Sequence, residues 1–122
     1  MDRKRILLIE DEPSHTVLYK YKLQTDGYRV EDIRSSDFSI SDLKKEGLPL
    51  ALIILSLELD NHQGYQYFDL IKEALPNLPI LLLTTAPELS IDSGRAKFDY
   101  LIKPFSLEDF SSRVSKSIWM AH

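Results

Sequence analysis

The run Leu50-Ala51-Leu52-Ile53-Ile54-Leu55 is apolar at every position. A strand with one wet face alternates apolar and polar residues, so an unbroken run points to a strand covered on both faces. Residues 6–9 and 80–83 are shorter runs of the same kind, and residues 28–33 and 98–102 also read as strands. Helical periodicity fills the intervals. Pro13 to about Thr25 carries Val17, Leu18 and Tyr21 on one face and stops at Asp26-Gly27, with Gly27 suited to the C′ position. Residues 39–46 form a short, weak helix closed by Gly47 and Pro49. A helix after Gly64 lines up Tyr65, Phe68, Ile71 and Leu75 and ends at Pro76 and Pro79. Residues 87–95, polar and interrupted by Gly94, give a doubtful fourth helix. The last helix opens on the capping box Ser106-Leu107-Glu108-Asp109, and Leu107, Phe110, Val114 and Ile118 follow at helical spacing.

Strands alternating with helices imply an α/β fold, a doubly wound parallel sheet with helices on both faces. In such sheets the working crevice lies beyond the carboxyl ends of the strands. Those ends carry Glu10-Asp11, Ser56, Thr84-Thr85 and Lys103. Acids after a strand often only face solvent or favour the next helix N-terminus, and Lys103-Pro104 could simply mark a turn. What speaks for a site is that all of them occur together, at ends that converge.

At 122 residues the expectation is a single domain spanning 1–122, with a sizeable core. A formal charge of −4 argues against a dedicated nucleic-acid binder. With no cysteine, disulfides and thiolate zinc sites are excluded, and His15, His62 and His122 lack metal-ligand spacing. The basic start Arg3-Lys4-Arg5 reads as a solvated strand entry. The apolar run behind it is too short for a signal sequence, and no segment is apolar enough to span a membrane, so a cytoplasmic location is expected. Trp119 is either core or a contact surface.

Four motifs in register carry a resemblance: Ile-Leu-Leu-Ile-Glu-Asp-Glu-Pro (6–13), Leu-Ile-Ile-Leu-Ser-Leu-Glu-Leu (52–59) with Gly64, Pro-Ile-Leu-Leu-Leu-Thr-Thr (79–85) and Asp-Tyr-Leu-Ile-Lys-Pro-Phe (99–105). Over essentially its whole length the chain resembles the receiver domain of bacterial response regulators, the CheY-like family. The resemblance implies a flavodoxin-like (βα)5 fold with strand order 2-1-3-4-5 and a place in two-component or phosphorelay signal transduction. Carried over by position, Glu10 and Asp11 match the acidic pair that holds Mg²⁺, and the backbone carbonyl of Glu58 matches a further ligand. Lys103 matches the lysine that pairs with the phosphoryl group. Thr84 matches the hydroxyl that moves to meet that group, and Tyr100 the aromatic that then turns inward.

Ser56 falls where the phosphoacceptor aspartate belongs, and a serine cannot form an acyl phosphate. It also removes one negative metal ligand, so Mg²⁺ is not required and would bind weakly. Lys103 is then free to pair with Asp11, and the Ser56 hydroxyl could donate to Asp11 or Lys103. From Thr84 to Tyr100 the chain is a few residues shorter than usual for the family, so the fourth helix should be shortened or irregular.

The reading is a pseudo-receiver: no enzyme and no conventional phosphorylation. Its partner would be a protein such as a kinase, an output domain or another signalling protein, with no direct nucleic-acid or membrane contact. Partner recognition, or pairing of two copies, would use the face of the fourth helix, fifth strand and last helix. One alternative is an active receiver with an unconventional acceptor, but Glu58 and Asp60 are poorly placed. The other is a flavodoxin-like small-molecule binder or enzyme. It would need a phosphate-cradling loop where Glu10-Asp11-Glu12-Pro13 offers only acids.

Overall fold

The computed structural model describes residues 3–44, 49–85 and 99–121. The elements follow in the order β1 (Arg5–Ile9), α1 (Pro13–Thr25), β2 (Arg29–Ile33), β3 (Leu50–Ser56), α2 (Gly64–Ala74), β4 (Ile80–Thr84), β5 (Asp99–Ile102) and α3 (Leu107–Ala121). The strands form one parallel sheet of order β2-β1-β3-β4-β5, the flavodoxin-like arrangement. The expected fourth helix, residues 87–95, lies outside the described residues. The segment expected as a weak helix at 39–46 shows a 3-10 turn, Ile40–Lys44, preceded by another at Ser35–Asp37.

Alternate residues of the central strands feed two separate cores. Ile6, Leu8, Leu52, Ile54, Leu81 and Leu83 pack with Tyr19 and Leu23 of α1 and with Phe110, Val114 and Ile118 of α3. Leu7, Ile9, Ile53, Leu55, Ile80 and Leu82 pack with Phe68 and Ile71 of α2. This two-sided burial is why β3 can be apolar throughout; each such side chain contributes roughly 1.5–3 kcal/mol on leaving water.

Gly27, at φ +99°, follows the α1 C-cap, as its sequence position implied. Its amide donates to Gln24 O and that of Tyr28 to Leu23 O, the two bonds of a Schellman stop. The Asp109 amide donates to Ser106 Oγ at 3.0 Å, which caps α3.

Two expectations change, and one open alternative narrows. The α1 face of Val17, Leu18 and Tyr21 is exposed, and the helix buries Tyr19 and Leu23 instead. An i, i+4 pair with one aromatic suffices to dock this helix, and the richer apolar stripe lies on its other side. Arg5 is no solvated entry: it is buried in β1 and forks onto Glu31 of β2, with Nε and Nη2 donating at 2.9 and 3.2 Å. Trp119 is exposed, together with Met120, so it is not core.

Candidate functional site

The carboxyl ends of β1, β3, β4 and β5 bring Glu10, Asp11, Ser56, Thr84 and Lys103 to one edge of the sheet. Adjacent parallel strands set this up, with Ser56 in register with Leu83 and Thr84 with Ile102. The backbone amide of Lys103 donates to Thr84 O at 2.7 Å, which holds the turn after β5 against the end of β4.

Three of these residues meet at the centre. Ser56 is wholly buried, and its Oγ accepts a hydrogen bond from Lys103 Nζ at 3.0 Å. Lysine can only donate, so the serine hydroxyl is an acceptor here rather than the donor expected. Lys103 Nζ also lies 3.6 Å from Glu10 Oε2. The lysine therefore pairs with Glu10, and the expected pairing with Asp11 is replaced. The other Glu10 oxygen accepts from the Glu12 amide at 3.2 Å and faces His15 Nδ1 at 3.6 Å.

Asp11 is buried and turned elsewhere. Its Oδ1 accepts from the Ser35 amide at 2.7 Å, and its Oδ2 from the Ser35 hydroxyl and from the Asp60 amide at 2.8 Å. Burial pushes its carboxyl up. The hydrogen bonds from the Ser35 hydroxyl, the Ser35 amide and the Asp60 amide, with the Arg34 charge, outweigh that and hold it below the usual carboxylate range. Asp11 thus ties the end of β1 to the turn after β2 and to the loop after β3.

Thr84 is also engaged away from the centre. Its Oγ1 donates to Glu58 Oε2 at 2.8 Å, while the Thr85 amide donates to Glu58 Oε1 at 2.7 Å. Tyr100 is half-buried on β5, in register with Leu82 and packed on the core that α2 covers. Beside it Arg113 Nη1 donates to Tyr100 O at 2.9 Å. Arg113, Leu101, Asp109, Ser112 and Lys116 line an open groove of about 400 Å³.

Sequence reasoning missed Ser35 and the Glu58 side chain. Nothing in spacing marks a serine two residues past β2, and the Glu58 side chain is weighed there only as a poorly placed acceptor, not as the partner of Thr84 and Thr85.

A magnesium ion needs near-octahedral oxygen ligation at about 2.0–2.1 Å. Asp11 already accepts from protein donors on both oxygens, Ser56 is neutral, and Glu10 faces an ammonium. Among the described residues no group of three or more His, Asp or Glu side chains could hold a metal ion. As arranged, these side chains do not fit the cation that the family's chemistry uses.

This sheet order, with these side chains at the strand ends, is the arrangement expected of a receiver domain. The chain belongs to that family: the response regulator receiver domain matches residues 6–115. It is 33% identical over 116 residues to the alkaline phosphatase synthesis transcriptional regulatory protein PhoP of Bacillus subtilis, covering 91% of this chain and 47% of that protein. It is 31% identical over 118 residues to the phosphate regulon transcriptional regulatory protein PhoB of Rhizobium meliloti, covering 90% and 50%. The chain thus spans about half the length of these relatives. Among solved structures, a sensor protein from Polaromonas sp. JS666 superposes with a TM-score of 0.86 at 20% identity, over 99% of this chain and 100% of that one. The receiver domain of the sensor histidine kinase PA1611 from Pseudomonas aeruginosa, which has a magnesium ion coordinated in its active-site cleft, gives 0.80 at 24% identity over 97% and 99%. At such identities these likenesses establish the fold. A receiver domain is a signalling module that works through protein partners. No described helix is long and apolar enough to cross a membrane.

Proposed function

We propose that this receiver domain is a pseudo-receiver, which signals by binding a protein partner without being phosphorylated. The observation that carries the reading is Ser56. It stands at the end of the central strand with no exposure to solvent, and its oxygen is held by Lys103. Phosphoryl transfer to a receiver requires a carboxylate nucleophile, a divalent cation and a cation on the transferred group. Here the lysine remains but faces Glu10, the nucleophile is absent and Asp11 is bonded elsewhere. The substitute acceptors are poorly suited. Glu58 is engaged by Thr84 and Thr85, and Asp60 is largely exposed, with its carboxylate 3.8 Å from Arg34.

The recognition face on this reading centres on β5 and α3, where Tyr100, Arg113 and the groove beside them lie. A partner could be a kinase, an output domain or a second copy of this chain. Truncating an anchor at an interface centre commonly costs a factor of ten or more in affinity. Tyr100→Ala and Arg113→Glu are therefore expected to weaken partner capture about tenfold, with circular dichroism confirming that each variant is folded. Lys103→Ala is expected to change capture by less than about threefold, since the pocket contributes no phosphate-dependent step. Quantified capture from lysate of the parent cell checks this. If Lys103→Ala abolishes capture while the two face variants do not, the pocket is still the signalling centre and the reading is wrong.

A further inference from the structure

Glu58 sits two residues past β3, opposite the end of β4. Its two carboxylate oxygens each take one donor: the hydroxyl of the wholly buried Thr84 and the amide of the exposed Thr85. A hydroxyl beside a backbone amide makes a small anion receptor, and hydrogen bonds to an ionised acceptor are about twice as strong as neutral ones. A phosphoryl group would offer the same donors the same thing, anionic oxygens spaced to accept two bonds. The lysine side of the pocket is likewise already balanced from within, Lys103 lying against Glu10 and Ser56.

We infer that the Glu58 carboxylate substitutes in cis for the phosphoryl group, holding Thr84 and Thr85 and thereby fixing Tyr100 in one position. The inference rests on the reading that the domain is not phosphorylated. The mechanical link is short. Leu82 is in register with Tyr100 and Thr84 with Ile102, and Thr84 O accepts the Lys103 amide. The end of β4 and the segment that carries Tyr100 are therefore one hydrogen-bonded unit. A state fixed by an internal anion avoids the loss of apparent affinity that a partly populated binding conformation carries.

The experiment uses the 15N-labelled chain as wild type, Glu58→Ala and Glu58→Gln. Glu58 is exposed, so neither variant opens a core cavity, and glutamine keeps the volume and one acceptor. Thr85 is exposed, so protection of its amide reports on the Glu58 bond itself. In Glu58→Ala its hydrogen exchange should quicken about tenfold, and the Tyr100 ring resonances should shift or broaden as the ring samples a second position. Glu58→Gln should show a smaller change in both. Unchanged Thr85 exchange overturns the bond. Faster exchange with an unmoved Tyr100 leaves a local contact and overturns the substitution for phosphate. Intact mass of the wild type after acetyl phosphate separates the two layers: a phosphoryl adduct overturns the underlying reading, whereas an unchanged mass with unmoved Tyr100 overturns this inference alone.

Discussion

Replacing Asp11 with alanine is expected to lower the stability of the domain by about 3 kcal/mol, seen as a fall in Tm of roughly 10–15 °C. The reasoning starts from what the carboxylate leaves behind. The amide and hydroxyl of Ser35 are buried and would lose their acceptor, and so would the Asp60 amide. Each stranded buried donor costs about 1–3 kcal/mol, partly relieved where water can reach the Asp60 loop. Asp11→Asn keeps one acceptor and should lose less. The sign is informative. If Asp11 were held only among repelling acids, removing it would leave stability unchanged or raise it. The pH dependence follows the same logic. The folded carboxyl titrates below its unfolded value of about 3.9, so its contribution is full above that value and lost as pH falls through the folded one. The gap between wild type and Asp11→Ala should therefore narrow in acid. Thermal melts that show a drop of less than about 3 °C at neutral pH would contradict this role.

Gly64→Ala should destabilise the domain by about 2–3 kcal/mol. A Cβ built on Gly64 would lie 2.5 Å from the Leu57 carbonyl oxygen and 2.8 Å from the Leu57 Cα. These are backbone atoms and cannot swing aside. The loop from Leu57, which carries Glu58 and Asp60, would have to move off the start of α2. At an unhindered helix position the same change should stabilise, since alanine is the better helix former by up to about 1 kcal/mol. Urea titration settles the sign. Amide shifts confined to residues 57–64 and their bonded partners Asp11 and Thr84 would locate the strain. A variant as stable as wild type would show that the loop does not rest on α2 this closely.

The fold was largely legible, for a physical reason. A strand covered on both faces must be apolar at successive positions, and 50–55 could hardly be anything else. The capping serine at Ser106 and the stop at Gly27 act through bonds between near neighbours in sequence, so they too could be read directly. The α1 face was less legible. Val17, Leu18 and Tyr21 make a better apolar stripe than Tyr19 and Leu23, yet the latter pair is buried. Periodicity reports that a stripe exists and does not say which one the sheet will cover.

The site divides in the same way. Which polar side chains the strand ends bring to one edge followed from topology. Which partner each side chain takes did not. Glu10 rather than Asp11 faces Lys103, Asp11 reaches Ser35 across 24 positions, and Glu58 reaches Thr84 across 26. Two adjacent acids at a strand end point to different sides, and the choice between them depends on rotamers and on loops that no spacing rule encodes.

The most direct test of the central claim is intact mass after incubation with acetyl phosphate and Mg²⁺, with a phosphorylatable receiver treated in parallel. With Ser56 at the end of β3, its oxygen bonded to Lys103, the mass of this protein should be unchanged while the control gains a phosphoryl group. A stoichiometric adduct, stable to acid and labile to base, would mean that a carboxylate in this pocket still accepts phosphate, and would contradict the account.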